Sequence, residues 1–381
     1  MKTAELIAPF VDAYENPARQ VEQWKAMHGG RVVGFLMTDV PEELIHAAGF
    51  FPYGITGGNK GLDKADAHLQ TWVCSYVRSC FALAVDGRLD YLEGLIVPQT
   101  CDTTRMLLDL WNHVRPLPYM EDYRLPRQIG RVSARKYLLH ELERMKEGLE
   151  RFAGHSITTD NLKKSIMLYN HNRQLMRKLF DMHAKNPSLI GNRNLYTVVN
   201  GAMVMPRERV NELLVKIVDQ LQESLNIAEE DKYLRLVLSG TLLTPLEILD
   251  LIDNWGGVVI GDDFQNGYRY IEADVTPEGD PVAALADRQL NRIPSAAYDI
   301  EQKPRRVFLT NLAKEKKAHG VIFVHLNFCE PENFDYYDNL TALQKAGFPA
   351  IRIESQFGQS TLGQMQTRLQ AFLEMIGGEG S

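Results

Sequence analysis

Short apolar segments alternate with helical segments at both ends of this 381-residue chain, and this alternation constrains the fold most strongly. Strands are predicted at 31–37, 50–56, 93–99, 233–240, 256–263, 320–328 and 347–355. Amphipathic stretches typical of helices separate them. Strands that alternate with helices form parallel sheets that are covered by helices. No sequence repeat is visible, but the two ends are expected to share one architecture.

The middle of the chain, 133–223, carries little strand signal. Leu138, Leu142 and Met145 recur at helical spacing, and a second apolar stripe starts at Val210. Such stripes form the buried face of a helix far more often than a cofactor site. The prediction is an α/β chain with two Rossmann-like or flavodoxin-like parallel-sheet domains and a helical segment. Its parts are a first α/β domain (1–130), a mainly helical segment (131–228) and a second α/β domain (229–381).

Two helix starts are predicted from capping patterns. Asp39 precedes Glu42 by three residues, with an apolar run behind them, so Asp39 is expected to cap a helix. Thr244 precedes Glu247 in the same way, and Pro245 occupies the first helical position of this capping box.

Three cysteines lie beside breaks between the predicted elements. Cys101 and Cys329 each follow a predicted strand, and Cys74 lies at the start of the helix predicted for 72–86. In open α/β sheets, ligands bind in the crevice beyond the carboxyl ends of the strands. Thiols at two such ends, far apart in sequence, indicate a site assembled between the two α/β domains.

Three thiolates suit an iron–sulfur cluster and would leave one iron open to a non-protein ligand. The structural alternative is that each cysteine is a packing residue, because free cysteine is often buried and behaves as a small hydrophobe. The sequence contains no Cys-x-x-Cys that would indicate a metal site by local spacing. Cys80 lies six residues after Cys74 on the same predicted helix, so the two side chains point about 120° apart. Cys80 is therefore predicted to be a buried thiol outside the site.

Composition limits the classes of function. The net charge is -7 and the isoelectric point is about 5.9, which argues against a nucleic-acid surface or a polybasic membrane anchor. The first residues carry acidic side chains and no apolar core, unlike a signal peptide. No stretch approaches the roughly 18 apolar residues of a membrane span. A cytoplasmic protein that binds neither nucleic acid nor membrane is expected.

The longer motifs of the chain resemble those of a known family. The matching segments are DVPEELIHAAGFFPYGI, CSYVRSC, GLIVPQTCDTTR, GVVIGDDFQNGYRY, VIFVHLNFCEPENFDYY, AGFPAIRIES and GQMQTRLQAFLEMI. They span nearly the whole chain in one order, and they resemble the 2-hydroxyacyl-CoA dehydratase / benzoyl-CoA reductase family. The segments FCEPENFD and TRLQAF look most like the smaller cluster-binding subunit of ATP-dependent benzoyl-CoA reductase.

This resemblance implies a [4Fe-4S] cluster in the inter-domain cleft, held by Cys74, Cys101 and Cys329. It implies a homologous cluster-binding subunit as partner, a separate ATP-hydrolysing activator, and ferredoxin as electron donor. The chain itself contains no nucleotide-binding motif. The implied function is iron–sulfur subunit of a benzoyl-CoA reductase, which dearomatises an aromatic acyl-CoA by single-electron transfer in anaerobic aromatic degradation.

Three other functions remain open at this point. The chain could belong to a 2-hydroxyacyl-CoA dehydratase that acts through a ketyl radical, or it could be a purely electron-transferring subunit. It could also be a small-molecule binding protein with inert thiols.

Four residues near the cysteines are candidates for supporting roles. Arg78 and Arg105 each lie one turn past a cysteine and could face the crevice, although a surface ion pair is the alternative. Asp102 and Glu330 directly follow Cys101 and Cys329, where helix capping or proton transfer is possible. The pair Asp262 and Asp263 ends a predicted strand and could line the same crevice.

Overall fold

The computed structural model describes residues 3–58, 62–224, 232–297, 304–358 and 362–378. The first sheet has four parallel strands in the order β2-β1-β3-β4. Its strands are β1 (Val32–Phe35), β2 (Phe51–Gly54), β3 (Gly94–Pro98) and β4 (Tyr119–Tyr123). Every residue of β1 and β3 is buried, as expected for inner strands covered on both faces.

The second sheet repeats this order as β6-β5-β7-β8, again with parallel strands. Its strands are β5 (Leu234–Ser239), β6 (Gly257–Asp262), β7 (Gly320–Leu326) and β8 (Ala350–Ser355). In both sheets the first strand lies between the second and the third, which is the flavodoxin-like order. The predicted fold class, with two parallel α/β sheets, is confirmed.

Helices precede, connect and follow the strands of both sheets. The first set is α1 (Thr3–Glu15), α2 (Pro17–His28), α3 (Glu42–Ala47), α4 (Leu62–Asp66), α5 (Ser75–Val85) and α6 (Asp102–Val114). The set around the second sheet is α11 (Glu247–Asn254), α12 (Tyr268–Ile271), α13 (Pro281–Leu290), α14 (Arg305–Glu315), α15 (Glu330–Lys345) and α16 (Leu362–Gly378). No helix in the described ranges is long and apolar enough to cross a membrane.

In the described part of the chain between the two sheets lie four helices and one 3₁₀ turn. These are α7 (Val132–Ala153), α8 (Thr159–Lys185), the turn Pro187–Leu189, α9 (Asn192–Ala202) and α10 (Arg207–Glu223). Leu138, Leu142 and Met145 are buried, so the stripe on α7 faces the core. Buried residues of α1, α9 and both sheets belong to one continuous apolar core. The domain bounds at 130 and 228 stay a prediction, and the second lies outside the described residues.

Both predicted capping patterns are wrong. Helix α3 begins at Glu42, and Asp39 is instead buried and bound by Gln265 and Arg292 from the other half of the chain. Helix α11 begins at Glu247 without a side-chain cap, and Pro245, which follows a cis peptide bond, lies before the helix. In each case the backbone before the helix takes a course that the capping pattern does not encode.

Strand β4 has no counterpart among the predicted strands. Its residues alternate between buried and half-buried, and it pairs on one side only, with β3, at the edge of the sheet. An edge strand of this kind carries charged residues such as Glu121 and Asp122, which weaken the apolar pattern of its sequence.

Candidate functional site

A pocket lies where the carboxyl ends of the two sheets meet. Loops that follow β1, β3, β5, β6 and β7 contribute Met37, Cys101, Gly240, Asp263 and Cys329 to its lining. Its empty volume, including the opening to solvent, is about 730 Å³. We call this cavity the inter-sheet pocket. In each sheet the strand order reverses between the first and third strands, and ligands bind beside such a switch point.

The inter-sheet pocket brings Cys74, Cys101 and Cys329 together on one lining. Each cysteine is the residue directly before a helix, respectively α5, α6 and α15. Cys101 Sγ lies 3.7 Å from Thr104 Oγ1, and Cys329 Sγ lies 3.7 Å from Thr241 Oγ1. Backbone N–H groups in the first turns of the three helices also approach the sulfur atoms: Val77 near Cys74, Thr104 near Cys101 and Glu332 near Cys329. Such N–H groups favour thiolates.

Burial raises the thiol pKa values and outweighs the effect of the helix N-termini in the isolated chain. It raises the pKa of the Cys74 thiol to about 12; the Val77 N–H opposes this rise, and the nearby Cys101 adds to it by a smaller amount. Burial also holds the pKa of Cys329 well above its ordinary value, helped by Glu332 and Cys74. Cys74 thus lies close enough to Cys101 and Cys329 for thiolates at these positions to repel one another.

Cys80 is excluded from the pocket lining. It is fully buried on α5, and its Sγ donates a weak 3.9 Å hydrogen bond to the Ile55 carbonyl. Burial raises the pKa of this thiol as well. The prediction that Cys80 is a buried thiol is confirmed.

The three cysteines of the lining are candidate ligands for a metal cofactor. Within the described ranges, no three histidine, cysteine, aspartate or glutamate side chains are grouped so as to hold one metal ion. A cubane cluster does not require such a group, because each cysteine binds a different iron. Cysteine thiolates are the usual protein ligands of iron–sulfur clusters, and the pocket lining contains three cysteines.

Two of the four supporting candidates, Arg78 and Arg105, lie away from the pocket. Arg78 is buried, and its Nε donates a 2.8 Å hydrogen bond to Asp66, which ties α5 to α4. Arg105 is exposed on α6. Neither residue belongs to the lining, so a role in the crevice finds no support from their positions.

The other two candidates lie at the mouth. A wide groove, with about 1160 Å³ of empty volume, continues from the inter-sheet pocket toward solvent. We call it the outer groove. Asp102 lines only the outer groove, whereas Glu330 lines both cavities, and both side chains are exposed. Arg127 also lines the groove and donates a 3.1 Å hydrogen bond to the Ala297 carbonyl.

Glu332 is a site residue that the sequence analysis missed. It is fully buried on the first turn of α15 and lines the inter-sheet pocket. Neither carboxylate oxygen forms a hydrogen bond of ordinary geometry within the described part of the chain, although Thr241 lies close enough to lower the pKa. Burial outweighs Thr241 and the nearby Arg305 and raises the pKa of Glu332 to about 7. The sequence carried one signal, a second glutamate three residues after Cys329.

The aspartate pair at the end of β6 divides between two roles. Asp263 lines the pocket, accepts a 3.0 Å hydrogen bond from the Gly240 N–H, and forms a 2.8 Å ion pair with the buried Arg305. Asp262 points away and accepts a 2.6 Å hydrogen bond from Tyr196, while burial raises its pKa to about 6. Only Asp263 therefore lies in the predicted crevice.

A buried polar network ties the two sheets together beside the pocket. Gln265 Nε2 donates a 3.0 Å hydrogen bond to Asp39, and Arg292 reaches the same carboxylate at 3.3 Å. Arg292 also donates a 2.6 Å hydrogen bond to the Thr38 carbonyl and a 2.8 Å hydrogen bond to Glu272. This network holds the loop that carries Met37 against the loop that carries Gln265, and both residues line the pocket.

Comparisons with known proteins identify a family and several relatives of this chain. Residues 37–376 match the family described as 2-hydroxyglutaryl-CoA dehydratase, D-component. A benzoyl-CoA reductase subunit of Thauera aromatica is 30% identical over 340 residues, 87% of each chain. The (R)-phenyllactyl-CoA dehydratase beta subunit of Clostridium sporogenes is 27% identical over 96% of this chain and 97% of its own. The (R)-2-hydroxyglutaryl-CoA dehydratase beta subunit of Acidaminococcus fermentans is 27% identical over 99% of this chain and 100% of its own.

Proposed function

Because the chain belongs to the 2-hydroxyglutaryl-CoA dehydratase, D-component, family, we propose that it is the iron–sulfur subunit of an ATP-dependent, ferredoxin-linked benzoyl-CoA reductase. The family resemblance seen in the sequence motifs is confirmed by this match. The similarity to the benzoyl-CoA reductase subunit of Thauera aromatica over 87% of each chain supports the reductase. The dehydratase subunits among the relatives support a dehydratase as the alternative.

One observation carries the proposal. Cys74, Cys101 and Cys329 come from distant parts of the sequence, yet they line one pocket at the carboxyl ends of two sheets. These three side chains would hold a [4Fe-4S] cluster. When bound, the cluster would supply single electrons at low potential for reduction of an acyl-CoA.

The chain's own residues prepare the site for such chemistry. Loops of both sheets and the loop 295–297 line the pocket, so a bound group would exchange part of its contact with water for contact with protein. The ion pair between Arg305 and Asp263 holds the start of α14 against the end of β6 and leaves a neutralised pair beside the thiols. Asp335 forms a second ion pair with Arg305, with 3.1 Å between Asp335 Oδ2 and Arg305 Nη1.

The proposed assembly contains a homologous cluster-binding subunit and an ATP-hydrolysing activator. Each of the three relatives is named as one subunit of an enzyme, which supports a multi-subunit assembly. No nucleotide motif is found in the sequence, which agrees with a separate ATPase. The complex would act in the cytoplasm on an aromatic acyl-CoA.

The ligand assignment is tested by cysteine variants of the anaerobically purified complex. Cys101→Ser is expected to remove iron from this subunit and to lower the brown absorbance of the complex to the share that the partner subunit's cluster contributes. Cys80→Ser is the matched control, because Cys80 is buried outside the pocket, and it should retain the iron and the full absorbance. Loss of absorbance in Cys80→Ser together with full absorbance in Cys101→Ser would overturn the assignment.

The reaction is tested with the full set of partners. The chain, its partner subunit, the activator, ATP and reduced ferredoxin should together reduce benzoyl-CoA by two electrons to a cyclic diene thioester. Electrons consumed should equal twice the product formed, and the chain alone should be inactive. Turnover by the isolated chain without ATP would disprove the division of labour.

A 2-hydroxyacyl-CoA dehydratase subunit is the second candidate, favoured by the family description and by two of the relatives. A dehydratase eliminates water and needs only catalytic amounts of reductant. Conversion of a 2-hydroxyacyl-CoA with trace electron consumption would therefore establish this candidate in place of the reductase. A subunit that only transfers electrons would support turnover without affecting which acyl-CoA the complex binds.

A further inference from the structure

Phe328 has a backbone conformation that its residue type disfavours. In the described part of the chain, three residues other than glycine have positive φ angles: Met37 at 56°, Lys317 at 51° and Phe328 at 64°. Two of these three, Met37 and Phe328, line the inter-sheet pocket. A left-handed conformation is costly for a bulky side chain, so two such residues at one pocket require an explanation in terms of that pocket.

The backbone hydrogen bonds show how Phe328 is held. The Cys329 N–H donates a 3.0 Å hydrogen bond to the Leu326 carbonyl, and the Asn327 N–H donates one of 2.9 Å to Ser355. These bonds close a turn at the end of β7 in which Phe328 is the third residue. Glycine is favoured at a third position with positive φ, because it has no side chain to clash. Phenylalanine stands here instead, directly before a pocket cysteine.

Packing within the chain does not explain the aromatic ring. Phe328 is 53% exposed although it is apolar, so the fold gains little from its burial. Met37 is buried and approaches the pocket from the other sheet, where it accepts a 3.5 Å hydrogen bond from Thr100 at its sulfur. Val77 and Leu326 add apolar surface to the same lining. The result is a wall of apolar side chains with one ring that is free to contact a ligand.

We propose that Phe328 and Met37, which line the pocket from loops of the two sheets, form the apolar wall against which the ring of an aromatic acyl thioester packs. Phe328 then sets the preference of the site for aromatic over short aliphatic acyl groups. Aromatic rings pair favourably in stacked or edge-to-face geometry, and a methionine sulfur is a good neighbour for them. This inference rests on the proposed function and assigns the acyl specificity to a residue of this subunit.

The test is equilibrium binding to the anaerobically purified complex, with benzoyl-CoA and acetyl-CoA as probes. Phe328→Asn removes the ring and tolerates positive φ. It is expected to weaken benzoyl-CoA binding about tenfold and to change acetyl-CoA binding by less than about twofold. Phe328→Tyr keeps the ring and should bind both probes as the parent does. Tyr337→Ala is the control, because Tyr337 is an exposed aromatic residue of α15 that lines neither cavity.

Three results would overturn the inference. Equal benzoyl-CoA binding by the parent and by Phe328→Asn would show that the ring makes no contact with the acyl group. Parallel weakening of both probes would show a general loss of the site. Dissociation of the complex in gel filtration, with binding unchanged in the part that stays assembled, would show that Phe328 covers a subunit interface. If Phe328→Asn does not fold, Phe328→Gly provides the same comparison.

Iron content and turnover on the same samples separate this inference from the proposed function. A parent complex without iron and without reductase turnover would disprove the proposed function, whatever the binding data. A parent complex that holds iron, reduces benzoyl-CoA and binds it no better than Phe328→Asn does would disprove the inference alone.

Discussion

The side chain of Gln265 donates a 3.0 Å hydrogen bond to Asp39, a residue 226 positions earlier in the chain. Asp39 follows β1 of the first sheet, and Gln265 follows β6 of the second. The contact therefore joins loops of both sheets beside the inter-sheet pocket. Arg292 completes the junction, because it binds Asp39, Glu272 and the Thr38 carbonyl at once.

Replacement of Arg292 by leucine is expected to destabilise the protein by about 3–5 kcal/mol, because the buried Asp39 and Glu272 carboxylates lose their cationic partner. Urea unfolding at pH 7 measures the loss. The control is Arg135→Leu, which breaks an exposed ion pair with Asp287 and should change the unfolding midpoint little. Equal midpoints for the two variants would show that the network does not stabilise the fold.

Glu332 should make stability depend on pH. Its pKa is raised by burial from the ordinary 4.5 to about 7, so the folded state binds this proton more tightly than the unfolded state. The free energy of unfolding therefore falls as pH rises from about 4.5 to 7, by an amount on the order of 3 kcal/mol. Glu332→Gln cannot ionise and should lose this slope.

Urea titrations of the cluster-free chain at pH 5 and pH 8 test the slope. Glu22→Gln alters an exposed carboxyl on α2 and is expected to keep the parental pH dependence. A parental slope in Glu332→Gln would mean that Glu332 is not the group responsible.

Protonation of His325 should lower the stability of the fold at acidic pH. It is buried between Phe323 and Tyr336, and neither ring nitrogen has a hydrogen-bond partner among the described residues. Burial, and then the charge of Arg305, lowers its pKa to about 3. Since the folded state disfavours the imidazolium, stability is lost as pH falls from about 6.5 toward 3.

His325→Phe is expected to reduce this loss of stability at low pH, which forms the acid limb of the plot of stability against pH. It should raise stability at pH 5, because an aromatic ring of similar shape fits between the same neighbours. Acid unfolding followed by circular dichroism would show the change. His155→Phe replaces an exposed histidine and should leave the acid limb as it is. An unchanged limb in His325→Phe would refute the assignment.

The raised thiol pKa values predict slow alkylation of the cluster-free chain. With a pKa of about 12 instead of 9.0, Cys74 has about a thousandfold less thiolate at pH 8 than an ordinary cysteine. Iodoacetamide should therefore modify Cys74 and Cys329 far more slowly in the folded chain than after denaturation in urea. Peptide mass spectrometry measures each site, and rapid labelling of Cys74 in the folded chain would contradict its burial.

Much of the fold was predictable because its elements have strong local patterns. The apolar runs of β1, β3 and β7 and the stripe of Leu138, Leu142 and Met145 report burial directly through their spacing. Strand β4 was not predictable in this way, since an edge strand is buried on alternate residues and carries charges. The predicted caps at Asp39 and Thr244 are wrong because a capping pattern describes only one turn of helix. It ignores the residues that bind Asp39 and the backbone course that keeps Pro245 before α11.

The sequence by itself determined the two parallel sheets, the helical segment between them, and the position of a cysteine before each of α5, α6 and α15. Only the tertiary structure decided that these cysteines line one pocket, that Asp263 enters it while Asp262 does not, and that Glu332 is buried beside them. The reason is physical. Periodicity records which face of an element avoids water, whereas the meeting of loops from two sheets depends on packing between residues that are distant in the chain. Burial, which sets the pKa values of Cys74, Cys329 and Glu332, arises only when that packing is complete.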